Sequence, residues 1–144
     1  MKILFDTSVI IASFIDWHEY HSRALPWFLK AAKGNVQFFV SAHTLIETYS
    51  VLTTYPSSPK LSPQECRQFI SENIEKRAEI ISLNAKDYSK VLDRMLSLNL
   101  SGGAIYDALL AQAAQKAKVD YLLTFNERDF LRVWPEGAKK IKVP

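Results

Sequence analysis

The feature that most constrains this chain is an alternation of short, largely apolar runs with longer stretches of helical spacing. Lys2-Ile3-Leu4-Phe5 stops at the polar Asp6-Thr7-Ser8, Val36 to Val40 stops at Ser41, Glu79 to Leu83 stops at Asn84, and Val119 to Thr124 runs into Asn126. A strand that is apolar at nearly every position is buried on both faces. Helices between such strands supply the crossovers that parallel pairing requires. The expectation is an α/β fold with a mainly parallel sheet of four strands, or five with the weak run at 140–143, flanked by helices on both faces. At 144 residues the chain fits one domain, 1–144, against an allowance of roughly 100–200 residues per domain.

The helices announce themselves by their punctuation. Val9 to Phe14 is an apolar stretch able to start a helix. Trp17 to Ala32 has Leu25, Phe28 and Leu29 on one helical face and Gly34-Asn35 as a stop. Ser41 is placed to cap a helix carrying Leu45, Ile46, Tyr49 and Leu52. After a proline-bearing loop from Tyr55 to Pro63, Ser62-Pro63-Gln64-Glu65 resembles a capping box opening a helix to about Lys76. Asn84 caps a further helix bearing Val91, Leu92, Met95 and Leu96. Gly102-Gly103 breaks the chain before the alanine-rich helix 104–117.

Composition removes several classes of function. The lone Cys66 excludes an internal disulfide, no apolar run approaches the roughly 20 residues of a membrane span, and the opening residues lack a secretory signal. A cytoplasmic protein without a membrane partner is expected. The net charge of +3 tolerates a nucleic-acid substrate without demanding one. More telling is that several acids sit inside apolar runs.

In an open α/β sheet, ligands bind beyond the carboxyl ends of the strands. Asp6 directly follows the first strand, and Asn126 and Asp129 lie just past the fourth, so residues distant in sequence can meet. Asp107 falls in the first turn of its helix, where the helix dipole favours an ionised carboxylate. Glu47 stands among Leu45, Ile46 and Tyr49, with His43 and Val51 at the positions one turn away, so no lysine or arginine partners it along the helix. Each acid has an ordinary alternative: an Asx turn for Asp6, dipole compensation for Asp107, a cap or a pair with Arg128 or Arg132 for Asp129. Together they form a set whose mutual repulsion, about 4 kcal/mol per pair at 4 Å and an effective dielectric of 20, calls for a cation. Oxygen ligands with few histidines suit Mg²⁺ or Mn²⁺ over Zn²⁺, and a metal-filled acidic cleft suits phosphodiester hydrolysis.

Four segments, in this order, resemble the PIN-domain family, and within it the VapC-like toxins of toxin–antitoxin pairs: residues Ile3 to Ile10, Ser41 to Glu47, Ala104 to Ala111, and Leu122 to Asn126 with Asp129-Phe130. The resemblance implies a single PIN-like domain and Mg²⁺- or Mn²⁺-dependent cleavage of RNA by one or two ions. It assigns Asp6, Glu47, Asp107 and Asp129 as catalytic metal ligands, with Ser8, Thr124 and Asn126 positioning water or substrate. Many relatives have aspartate where this chain has Asn126, so either Asn126 or Asp129 completes the set. A homodimer is implied, as is a small antitoxin that occludes the cleft. A processing nuclease without an antitoxin and a non-catalytic metal-binding interaction domain are the alternatives.

Other residues receive plainer readings. His18 and His21 lack a third strong ligand and are expected to face solvent. His43 fits a capping or packing role as well as a substrate contact. Trp17, Trp27 and Phe28 are expected in the core or on a dimer face. Cys66 has no catalytic companion, and Lys139, Lys140 and Lys142 are expected in a solvated tail.

Overall fold

A computed structural model describes residues 1–144. Five strands, β1 (Lys2–Phe5), β2 (Gln37–Ser41), β3 (Glu79–Ile81), β4 (Tyr121–Leu123) and β5 (Ile141–Lys142), form one sheet in the order β3-β2-β1-β4-β5, with every pairing parallel. The helices are α1 (Thr7–Phe14), α2 (His21–Ala32), α3 (Ala42–Thr53), α4 (Pro63–Ile70), α5 (Ala85–Ser97), α6 (Ala104–Lys116) and α7 (Glu127–Val133). A π-type turn, Ser71–Glu75, prolongs α4, and a 3₁₀ turn, Pro135–Lys140, leads into β5.

The apolar runs split by the two-residue period of a strand. Ile3 and Phe5, with Phe38, Val40 and Leu123, face a core built with α1, α2, α3 and α4, whereas Leu4, Phe39 and Leu122 face a second core built with α5, α6 and α7. Phe5 is fully buried, a contribution of about 1.5–3 kcal/mol for a side chain of its size. On α6 the small Ala108, Ala111 and Ala113 are completely buried, which lets that helix approach the sheet closely.

Capping follows the side chains read from sequence. Ser41 Oγ accepts from the His43 amide at 3.3 Å, and both Ser62/Glu65 and Asn84/Asp87 form reciprocal capping boxes. Gly102 has φ +69°, a left-handed conformation that a side chain would strain, and it re-aims the chain into α6.

Several expectations are corrected. The helix expected from Trp17 begins at His21, because residues 15–20 instead close tight turns, with the His18 amide donating to Ile15 O and the His21 amide to His18 O. Of the apolar residues on the expected helical stripes, Leu29, Ile46, Tyr49, Leu92 and Leu96 are exposed; α3 buries Thr44, Thr48 and Leu52, and α5 buries Val91 and Met95. Trp17 is 59% exposed, so it is not core, while Trp27 and Phe28 pack part-buried against the first core. His18 and His21 are half-buried and hydrogen-bonded rather than free in solvent. The last lysines are not a free tail: Lys140 Nζ donates to Val119 O at 2.9 Å, and Lys142 Nζ lies over the Trp27 and Tyr121 rings.

Candidate metal centre

The connections from β1 leave the sheet toward β2 on one side, while β4 flanks β1 on the other. This is the switch point at which an open parallel sheet leaves a crevice beyond its strand ends. Asp6 stands there as the residue joining β1 to α1, and its own amide donates to Leu123 O at 3.0 Å. Its Oδ2 accepts two hydroxyl donors at 2.7 Å, from Ser8 and from Thr124. Each hydroxyl is held in turn by a backbone amide: Ser8 Oγ accepts from Phe125 N–H at 3.1 Å and Thr124 Oγ1 from Asn126 N–H at 2.9 Å. Asp6, 6% exposed, is thus fixed by a closed network across the β1–β4 seam.

Glu47, on α3, accepts from Thr7 Oγ1 at 3.0 Å on Oε2. The same oxygen lies 3.9 Å from His43 Nε2. The imidazole of His43 thus stands one turn from Glu47, at the position where the helix offers no lysine or arginine. His43 also stacks on Tyr106, with ring centroids 5.6 Å apart and planes 8° from parallel. Tyr106 precedes Asp107, so this stack ties α3 to the start of α6.

Asp6, Ser8, Glu47, Asp107 and Asn126 line one cavity of about 330 Å³, within the size range of small-ligand clefts. Apart from Thr7, the remaining wall is aromatic and aliphatic, including His18, Tyr20, Tyr55 and Phe125, and no lysine or arginine lines it. Asp129 is exposed on α7 and is not part of the cavity wall, although its charge is felt at Asp107. Asn126 lines the cavity. Neither Arg128 nor Arg132 forms an ion pair with Asp129, so the salt-bridge alternative for that residue is not realised.

The electrostatics carry the mark of an acidic cluster. Burial, followed by the charges of Asp6, Asp129 and Glu47, pushes the Asp107 carboxyl up to about 6, with Arg132 pulling the other way. Burial also raises Asp6; the hydroxyls of Ser8 and Thr124 oppose that shift, and the charge of Glu47 adds to it. These carboxylates cost energy where they stand unless a cation joins them. No three His, Cys, Asp or Glu groups close around a common point as a pre-formed cage.

A PIN domain profile matches residues 3–134, which is most of the chain. The chain belongs to the PIN-domain family. Its relatives lie in the VapC branch: it is 33% identical over 112 residues to ribonuclease VapC40 of Mycobacterium tuberculosis, covering 78% of each chain. To ribonuclease VapC27 of the same organism it is 30% identical over 115 residues, covering 80% of this chain and 78% of the relative. Among solved PIN-type structures, the VapBC2 complex of Rickettsia felis bound to a promoter DNA fragment superposes with a TM-score of 0.65 at 20% identity, covering 100% of this chain and 99% of that one. The M. tuberculosis toxin VapC20, which cleaves the sarcin–ricin loop, gives a TM-score of 0.66 at 14% identity, covering 83% and 86%. The five-stranded parallel sheet is the PIN fold shared with these VapC proteins.

Proposed function

We propose that this PIN-domain chain is a Mg²⁺- or Mn²⁺-dependent endoribonuclease and the toxin of a toxin–antitoxin pair. The observation that carries the reading is the convergence of Asp6, Glu47 and Asp107 in one cavity whose wall has no lysine or arginine, in a chain kin to the VapC ribonucleases. Asp6 and Asp107 would hold the ion, with Glu47 beside them and Asn126 as a neutral oxygen donor; Asp129 adds negative potential from outside the wall. A divalent cation bound there supplies a water nucleophile at neutral pH and neutralises charge at the scissile phosphate.

The chain's own groups prepare that chemistry. Ser8 and Thr124 hold the Asp6 carboxylate in one orientation by paired hydroxyl bonds. Thr7 does the same for Glu47. With Asp107 held up to about 6, the cleft retains a proton under mildly acidic conditions, one that a bound cation would compete with. In the hydrolysis, water adds to phosphorus and the P–O bond to the leaving oxygen breaks, giving a phosphate end and a hydroxyl end.

Two assembly features belong to the same proposal. An apolar groove between α5 and α6, lined by Tyr88, Leu92 and Tyr106 among others, adjoins the exposed Leu96 and suits a second copy of the chain. A small antitoxin entering the acidic cleft would keep the enzyme silent, in keeping with similarity to toxins solved with their antitoxins. No helix is long and apolar enough to cross a membrane; action on RNA in the cytoplasm is part of the proposal.

The test is cleavage of a fluorescence-quenched RNA by metal-stripped protein, alone, with Mn²⁺, and with excess EDTA. Cleavage that appears with Mn²⁺ and disappears with EDTA is expected. Full activity in EDTA overturns the metal role.

A further inference from the structure

His18 lines the same cavity as the carboxylates, and none of the roles assigned above uses it. It lies in the tight turn joining α1 to α2 and is braced from several sides. Its amide donates to Ile15 O at 3.0 Å, and its carbonyl accepts from His21 N–H at 2.9 Å. The Tyr20 amide donates to His18 Nδ1 at 3.1 Å. That bond needs a lone pair on Nδ1, so the ring proton sits on Nε2. Nε2 has no protein partner, and the half-buried ring lines the same cavity as Asp6, Glu47 and Asp107.

The ring's position is tied to the strand end on the far side of the cleft. His18 contacts Tyr20 with centroids 5.7 Å apart, Tyr20 stacks on Phe125 at 4.6 Å, and the Arg23 guanidinium lies 5.3 Å from both of the latter rings. Phe125 separates Thr124 from Asn126. The turn carrying His18 is therefore clamped to the segment that orients Asp6.

An RNA phosphodiester offers only acceptors at its non-bridging oxygens and is recognised by donors. Ionised carboxylates cannot donate and no lysine or arginine lines this wall, so the donors it offers are the His18 ring, the Tyr20 and Tyr55 hydroxyls and the Asn126 amide, of which the ring is held on a braced turn with its Nε2–H unused. We propose that His18 is a substrate-positioning residue whose Nε2–H donates to a non-bridging oxygen of the phosphodiester lying against the acidic residues. A neutral donor suits this place, since a fixed cation would pair with the carboxylates and compete with the ion they bind. This inference rests on the ribonuclease reading above.

The experiment compares His18→Asn, His18→Gln and His18→Ala in the full chain with Mn²⁺, reading kcat and KM separately on a single-stranded RNA, Mn²⁺ affinity by calorimetry, and thermal melting. Asparagine keeps an oxygen able to accept from the Tyr20 amide, as in an Asx turn, but lacks a donor reaching the Nε2 position. Glutamine places an N–H near that position but gives up the turn bond. The expected result is a KM raised about tenfold in the Asn and Ala variants, the scale of one charge-assisted hydrogen bond, with Mn²⁺ affinity unchanged and a partial recovery in the Gln variant. Parent-like KM for His18→Asn would make the ring a turn acceptor only, and Gln behaving no better than Ala would exclude the donor; either overturns the inference. Loss of Mn²⁺ affinity in parallel with KM would overturn it too. A parent chain that cleaves no RNA with Mn²⁺ instead ends the ribonuclease reading itself.

Discussion

Thr124 Oγ1 donates to Asp6 Oδ2 at 2.7 Å, joining residues 118 positions apart across the central seam of the sheet. Because Thr124 is fully buried and also accepts from the Asn126 amide, its hydroxyl is locked in one direction. Thr124→Val keeps the shape and removes the donor. Loss of such an outer-shell partner weakens metal binding or activity by about 10–100-fold. Calorimetric Mn²⁺ titration of the variant checks this, and an unchanged affinity would mean that the hydroxyl serves only the strand end.

The acids themselves should rank. Asp6→Asn and Asp107→Asn are each expected to lower RNA cleavage by on the order of 100-fold or more, exceeding the loss of a supporting hydroxyl. Both should leave the fold intact or slightly more stable, since a repelling charge is removed. Asp129→Asn should be milder, because Asp129 stands outside the cavity wall that Asn126 joins. Cleavage rates and melting curves of the three variants, taken side by side, decide the order.

Protons and metal should compete. The Asp107 carboxyl moves from an ordinary 3.8 to about 6 in the folded chain, and Asp6 is raised as well. A folded pKa above the unfolded one means that the folded state binds the proton more tightly between those values. The metal-free chain therefore gains stability from this group as pH falls from 6 toward 4, and loses it as pH rises through 6. Mn²⁺ affinity moves oppositely and weakens as pH falls below about 6. Melting temperatures of metal-free parent and Asp107→Asn across this window give the check: the variant should show a shallower slope, and identical slopes would remove Asp107 from the account.

Thr44 Oγ1 and Thr48 Oγ1 are buried on α3 without a hydrogen-bond partner. A buried hydroxyl left unpaired costs about 1–3 kcal/mol, and valine has nearly the same shape. Thr48→Val should raise the melting temperature, at about 2–4 °C per kcal/mol for a chain of this size. A lower melting temperature would show that the hydroxyl is satisfied in solution.

Beside Trp134 of the second core, a Cβ on Gly137 would lie 2.0 Å from the ring's Cε2. Trp134 is only 3% exposed and has little room to give way. Gly137→Ala should destabilise the chain by about 1–3 kcal/mol, the usual cost of overpacking, as measured by urea denaturation.

Much of this architecture could be read from residues alone, because strands buried on both faces carry few polar side chains and end abruptly where the chain turns. The meeting of Asp6 with the segment after β4 followed from the strand-end rule without knowledge of register. What stayed hidden was direction. Trp17 and Tyr20 fall at a spacing that imitates a helix, yet local hydrogen bonds close turns there instead. The stripes Ile46/Tyr49 and Leu92/Leu96 have helical period, but period marks a stripe without saying what covers it. For the same reason, sequence could not tell that Asn126 lines the cavity, nor that His18 does.

The pairing of Asp6 with Thr124 also has a temporal side. Synthesis at about 5–20 residues per second separates their arrival by roughly 6–24 s, an interval set by the 118 positions between them. During that interval β1 has β2 to pair with but no β4, and the Asp6 carboxylate lacks one of its two hydroxyl donors. A ribosome-bound fragment that lacks β4 therefore carries an unfinished centre, completed only once Thr124 has joined the sheet.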